Sequence, residues 1–80
     1  MPIVRIPGAL SRHVGGRVEV RLSGGTVAEV LEALALEAPE LADAIVQGGV
    51  RVFVGENAAG GSTPLTPEDE LFLVPSLAGG

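Results

Sequence analysis

A single helical stripe flanked on both sides by strand-like runs is the feature that most narrows what this chain can fold into. Val27, Val30, Leu31 and Leu34 recur at i, i+3, i+4 and i+7, which puts them on one face of a helix. Thr26 and Glu29 have the spacing of a capping box, in which the Thr26 hydroxyl accepts from the Glu29 N–H and the Glu29 side chain reaches back. Glu29 and Glu32 fall off the stripe, toward water. Pro39 disfavours helical geometry at Ala38, so the helix ends near Glu37. Leu41 and Ile45 imply one or two further helical turns before Gly48-Gly49.

The flanking runs differ in character. Residues 3–6 read as a first strand stopped by Pro7-Gly8, followed by a loop over residues 9–16 with Leu10 and Val14 as anchors. Residues 17–22 alternate, with Val18, Val20 and Leu22 on one side and Arg17, Glu19 and Arg21 on the other. Residues 50–54 form a third strand. Residues 55–63 lack the hydrophobic content expected of a strand, and residues 58–62 are small and read as mobile. Residues 71–74 form a last strand that is apolar on both faces, the pattern of a central, covered strand. One helix is thus available to cover one face of a mixed sheet, with the last strand beside the first. The expected fold is α+β, a β-grasp of about four to five strands packed on one main helix. Residues 1–75 form that domain, and residues 76–80 form a flexible C-terminal tail ending in Gly-Gly.

Composition then excludes most chemistry. The chain is 80 residues long, enough for one core. One histidine and no cysteine leave no Cys-based nucleophile or metal cluster. His13, with no acid–base partner nearby in sequence, reads as solvated. Ser11, Ser23, Ser62 and Ser76 lack a nucleophile-elbow context, and Glu68-Asp69-Glu70 reads as a solvated turn rather than a metal loop. No lysine is present, so no glycine-rich stretch completes a phosphate-binding loop. No catalytic side chain, metal site or stably bound cofactor is therefore expected. A net charge of −5 argues against nucleic acid as a partner. The same charge suits a basic docking surface, or merely keeps a small protein soluble. No secretory signal or membrane-length apolar run is visible, which makes the cytoplasm the default compartment.

What remains is the carboxyl end. Glycine has no Cβ, so Gly79-Gly80 can extend through a narrow channel and leave the Gly80 carboxyl carbon open to ATP or a nucleophile. By itself the pair is also what a glycine-rich chain end looks like. Four other Gly-Gly pairs occur, at 15–16, 24–25, 48–49 and 60–61, so the motif gains meaning only from the strand before it.

That ending, Asp69-Glu70-Leu71-Phe72-Leu73-Val74-Pro75-Ser76-Leu77-Ala78-Gly79-Gly80, resembles the ubiquitin-like sulfur carriers of the ThiS/MoaD type. Ile6-Pro7 through Leu10 to His13-Val14-Gly15-Gly16 is similar to their cysteine-biosynthesis branch. The resemblance implies that Gly80 is adenylated by an ATP-dependent activating enzyme. A sulfur donor then converts it to a thiocarboxylate, which a sulfur-accepting biosynthetic enzyme consumes. Gly79 and Ala78 would give the tail its reach. The resemblance also implies docking through the sheet face away from the helix, with Phe72, Val74, Phe53 and Leu77 as candidates. At least one of Phe53 and Phe72 is expected in the core instead, because a two-aromatic chain needs large groups there. Two other readings stand beside carriage: a modifier joined through Gly80 to lysines of other proteins, and a β-grasp binding subunit with an inert tail.

Overall fold

The computed structural model describes residues 1–76. Five strands form one sheet: β1 Ile3–Arg5, β2 Glu19–Arg21, β3 Val50–Val54, β4 Asn57–Ala58 and β5 Glu70–Pro75. Their spatial order is β2-β1-β5-β3-β4. β5 is central, parallel to β1 and antiparallel to β3. Two helices, α1 Val27–Glu37 and α2 Pro39–Val46, cover one face, and a 3₁₀ helix, Gly8–Val14, links β1 to β2. This is the β-grasp that the order of elements implied.

Alternation selects the core. Val4, Val20, Val52, Leu71 and Leu73 point from the sheet toward Val27, Val30 and Leu34 of α1 and Leu41 of α2. The cluster is wholly aliphatic, and neither phenylalanine belongs to it. That corrects the expectation of a core aromatic: branched aliphatics from two layers already fill the space between helix and sheet.

Helix α1 begins as its cap requires. Thr26 Oγ1 accepts from Glu29 N–H at 3.3 Å, while Glu29 Oε1 accepts from Gly25 N–H at 2.7 Å, one residue further back than a standard box. The next free donors, the N–H groups of Val27 and Ala28, are taken by the carbonyls of Thr63 and Gly61. Residues 60–65 are therefore strapped across the start of α1 by backbone hydrogen bonds. Small residues permit this approach, since a Cβ on Gly61 would already touch that of Ala28 at 3.5 Å.

Three further differences follow from local backbone demands. Residues 8–14 coil into a 3₁₀ helix closed by Gly15 at φ 68°, not an open loop. The second strand is shorter than its alternation, and Val18 is exposed. Two residues of 55–63 do pair as β4, through Phe53↔Ala58 and Val54↔Asn57, because the turn at Gly55 returns the backbone to β3. Backbone pairing there needs no apolar side chain.

Gly24 has a packing role that its sequence context hides. A Cβ at this position would sit 2.8 Å from both the Val30 Cγ2 and the Val30 backbone nitrogen. Gly25 has only a 3.6 Å neighbour, the end of the Glu29 side chain. Gly24→Ala is expected to destabilise the domain by about 1–3 kcal/mol, the ordinary cost of overpacking, and Gly25→Ala by less than about 0.5 kcal/mol. Urea unfolding of the two variants checks the contrast; equal midpoints would contradict it.

Candidate functional site

The second face of the sheet carries no covering layer among the described residues. Cross-strand register lines up Glu19, Arg5, Phe72, Phe53 and Ala58 as one row across all five strands. Val74 and Arg51 pair in the neighbouring row, nearer the end of β5. The row is ionic at one end and aromatic at the other. Arg5 Nη1 donates to Glu19 Oε1 at 2.6 Å and its Nε to Glu70 Oε1 at 2.8 Å. The hydrogen bond that Arg5 Nε–H donates to the Glu70 carboxylate is the main reason the Arg5 guanidinium is held above its ordinary pKa. Arg51 lies over the Phe53 ring, 6.0 Å from its centroid.

Phe72 is 36% exposed and Val74 42%, in the central strand of the sheet. Among the described residues the expected second cover over β5 is therefore absent: Leu71 and Leu73 are buried beneath the helices, and Phe72 and Val74 face outward. A shallow groove of about 380 Å³ runs between β1 and β5, lined by Arg5, Pro7, Val18, Phe72 and Val74. It lies alongside the end of β5, where Ser76 N–H donates to the Gly49 carbonyl at 2.8 Å. The structure brings together three of the docking candidates, Phe53, Phe72 and Val74. The fourth, Leu77, lies outside the described residues, as do Ala78, Gly79 and Gly80.

Sequence reading missed the ionic half of this face. Alternation puts Glu19 and Arg21 on one side of a strand, but the alignment of Glu19 with Arg5 and Glu70 depends on strand register. His13 also differs from expectation. Its side chain is 19% exposed, and its Nδ1 lies 3.5 Å from Glu40 Oε2. The break at Ala38 and the restart at Pro39 turn the first residues of α2 onto the 3₁₀ helix, supplying a partner distant in sequence. No group of three or more metal-ligating side chains occurs among the described residues. No described helix is long and apolar enough to cross a membrane.

This small β-grasp, with an open, partly apolar face beside β5, is a fold shared with CysO and small archaeal modifier protein 1 structures. The chain belongs to the ThiS family, whose model matches residues 4–80. Among solved structures it is similar to Mycobacterium tuberculosis CysO, described as an antigen, with a TM-score of 0.85 and 21% identity over 96% of this chain and 100% of that one. It is also similar to a chain of the Amycolatopsis orientalis BexX/CysO complex, at TM-score 0.86 and 25% identity over 100% of both chains. The small archaeal modifier protein 1 of Methanosarcina acetivorans superposes at TM-score 0.82 with 24% identity, over 99% of this chain and 95% of that one. No curated protein matches the chain.

Proposed function

We propose that this chain carries sulfur on the carboxyl carbon of Gly80. An ATP-dependent activating enzyme joins the Gly80 carboxylate to AMP, releasing pyrophosphate. A sulfur donor then displaces AMP, and the resulting thiocarboxylate is the nucleophile consumed by a biosynthetic enzyme. Activation is required because a carboxylate is a poor electrophile and AMP is a far better leaving group than oxide. The chain supplies no catalytic side chain and holds no cofactor; ATP belongs to the partner's reaction, which assigns the protein to the cytoplasm. Its own work is to dock and to present Gly80. The observation that carries this reading is the open Phe53–Phe72–Val74 face, built on the strand that leads directly to the carboxyl end. The pathway served can be that of cysteine, thiamin, molybdopterin, a thiolated tRNA or a specialised metabolite. The likeness to a CysO found in complex with BexX supports a docked partner.

Intact-mass measurement after incubation with the cognate activating enzyme, ATP and a sulfur donor tests the proposal. One oxygen replaced by one sulfur at the C-terminus is expected; an unchanged mass contradicts it. The likeness to small archaeal modifiers favours a second reading, conjugation of Gly80 to lysines of other proteins. Recovery of the chain only in isopeptide linkage would select that reading.

The docking face has its own test. Phe72→Ala removes the central aromatic of the row and is expected to lower kcat/KM for activation roughly 10- to 100-fold, as loss of an interface anchor does. Its cost to stability should be near 1 kcal/mol, from the lost Phe53 pair. Arg21→Ala, at the far edge of the same sheet, should leave the rate unchanged. Equal rates for wild type and Phe72→Ala would remove Phe72 from the interface.

A further inference from the structure

Charge in this molecule is sorted by layer. Helices α1 and α2 hold Glu29, Glu32, Glu37, Glu40 and Asp43 and no basic residue. All five arginines lie elsewhere: Arg5, Arg21 and Arg51 on strands, Arg12 in the 3₁₀ helix and Arg17 just after it. Some helical acids are used internally. Glu37 accepts from Arg17 at 2.9 Å, Glu40 faces His13, and Glu29 caps its own helix. The side chains of Glu32 and Asp43 form no ion pair or hydrogen bond among the described residues.

Those two acids border an apolar groove. It measures about 320 Å³, lies between the outer surfaces of α1 and α2, and is lined by Leu31, Glu32, Ala35, Asp43, Ile45 and Val46. The two most exposed large apolar side chains of the described chain, Leu36 at 88% and Val46 at 86%, both belong to this layer. Both exceed the exposure of Phe72 and Val74. Single exposed aliphatics are ordinary on a protein surface. An apolar cleft flanked by two unneutralised carboxylates is more specific, because it presents a hydrophobic seat between two anionic contacts.

We propose that this groove docks a basic amphipathic helix of a partner protein. An aliphatic side chain of that helix seats on Leu31, Ile45 and Val46, and a lysine or arginine a turn to either side meets Glu32 and Asp43. Helix-in-groove recognition works through such spacing, and complementary charge fixes its register. A second copy of this chain is a poor occupant, since apposing two helical layers brings acid against acid. The groove lies on the opposite side of the sheet from Phe72, so a partner bound there leaves the Phe72 face accessible. The interaction thus goes beyond carriage and does not depend on it.

The test is amide chemical-shift mapping on the full chain with a synthetic leucine–lysine amphipathic peptide of about 15 residues, long enough to hold a helix. Two control peptides carry glutamate for each lysine, or serine for each leucine. The leucine–lysine peptide should shift amides of α1 and α2 around the groove, and each control should bind roughly tenfold more weakly or worse. The double variant Glu32→Arg with Asp43→Arg should weaken binding by at least about tenfold while keeping the folded spectrum and the rate of Gly80 modification. Four results would overturn the proposal: no binding of the leucine–lysine peptide, equal binding of the serine control, shifts centred on Phe53 and Phe72, or indifference to the charge reversal. Concentration-dependent shifts of the groove amides without peptide would assign it to a second copy instead, and also overturn it.

Discussion

Removal of Gly79 and Gly80 is expected to abolish sulfur loading completely while leaving the domain as stable as before. The two effects separate because the proposed carriage places the chemistry at Gly80, whereas the described core lies earlier in the chain. Among the described residues the last in the core is Leu73, and the last backbone contact is Ser76 N–H to the Gly49 carbonyl. Both survive the deletion, so unfolding free energy should change by less than about 0.5 kcal/mol. Four residues follow Ser76. Fully extended they span at most about 14 Å, and the deletion removes half of that reach. It also leaves Ala78 at the terminus, where, under the proposed carriage, a Cβ would crowd the carbon to be activated. Gly80→Ala isolates the second effect, because it keeps the length. Misplacement of a reacting carbon by an ångström can cost about 100-fold, and a loss of at least that size is expected for Gly80→Ala. Intact mass and a denaturant melt on each variant check both halves. A thiocarboxylate on Ala78 formed at the wild-type rate would sink the assignment of Gly80.

Why the fold was legible and parts of the site were not comes down to the range of the interactions involved. Helix α1 could be placed nearly to the residue because its signals are local: a cap at Thr26, a stripe at 3.6-residue spacing and a proline at 39. The central position of β5 was legible because its apolar run is the longest among the strands. The same run misled about cover. Apolar residues on both faces normally mean two covering layers, so β5 reads as covered and at least one of Phe53 and Phe72 as core. Among the described residues one helical layer covers the sheet, and its second apolar face is left open. The row Glu19–Arg5–Phe72–Phe53 joins residues far apart in sequence, so it appears only once register is known. Glycine was the hardest residue to interpret. Gly-Gly pairs looked interchangeable in sequence, yet Gly24 is required by a 2.8 Å approach to Val30 and Gly15 by its left-handed backbone. Neither demand has a local signature.

Leu34→Ala should produce the largest loss of stability of any single truncation considered, and a loss of carriage that temperature can reverse. Leu34 is fully buried and is among the largest side chains that are, within the aliphatic cluster joining α1 to the sheet. Removing a buried leucine side chain costs about 2–5 kcal/mol, through lost transfer energy and the cavity left behind. A domain of this size has only about 4–12 kcal/mol in total. The midpoint of thermal unfolding should therefore fall by roughly 10–25 °C. The variant keeps Gly80 and the Phe72 face intact, so it should load sulfur at near the wild-type rate wherever it remains folded. Loading should then collapse as temperature approaches the lowered midpoint and return on cooling. The diglycine deletion should show the opposite pattern: full stability and no loading at any temperature. If Leu34→Ala failed to load in the cold, with its circular dichroism and chemical shifts native, the separation of a presenting domain from a reacting terminus would be wrong. The helix–sheet core would then have to act on Gly80 through something other than holding β5 in place.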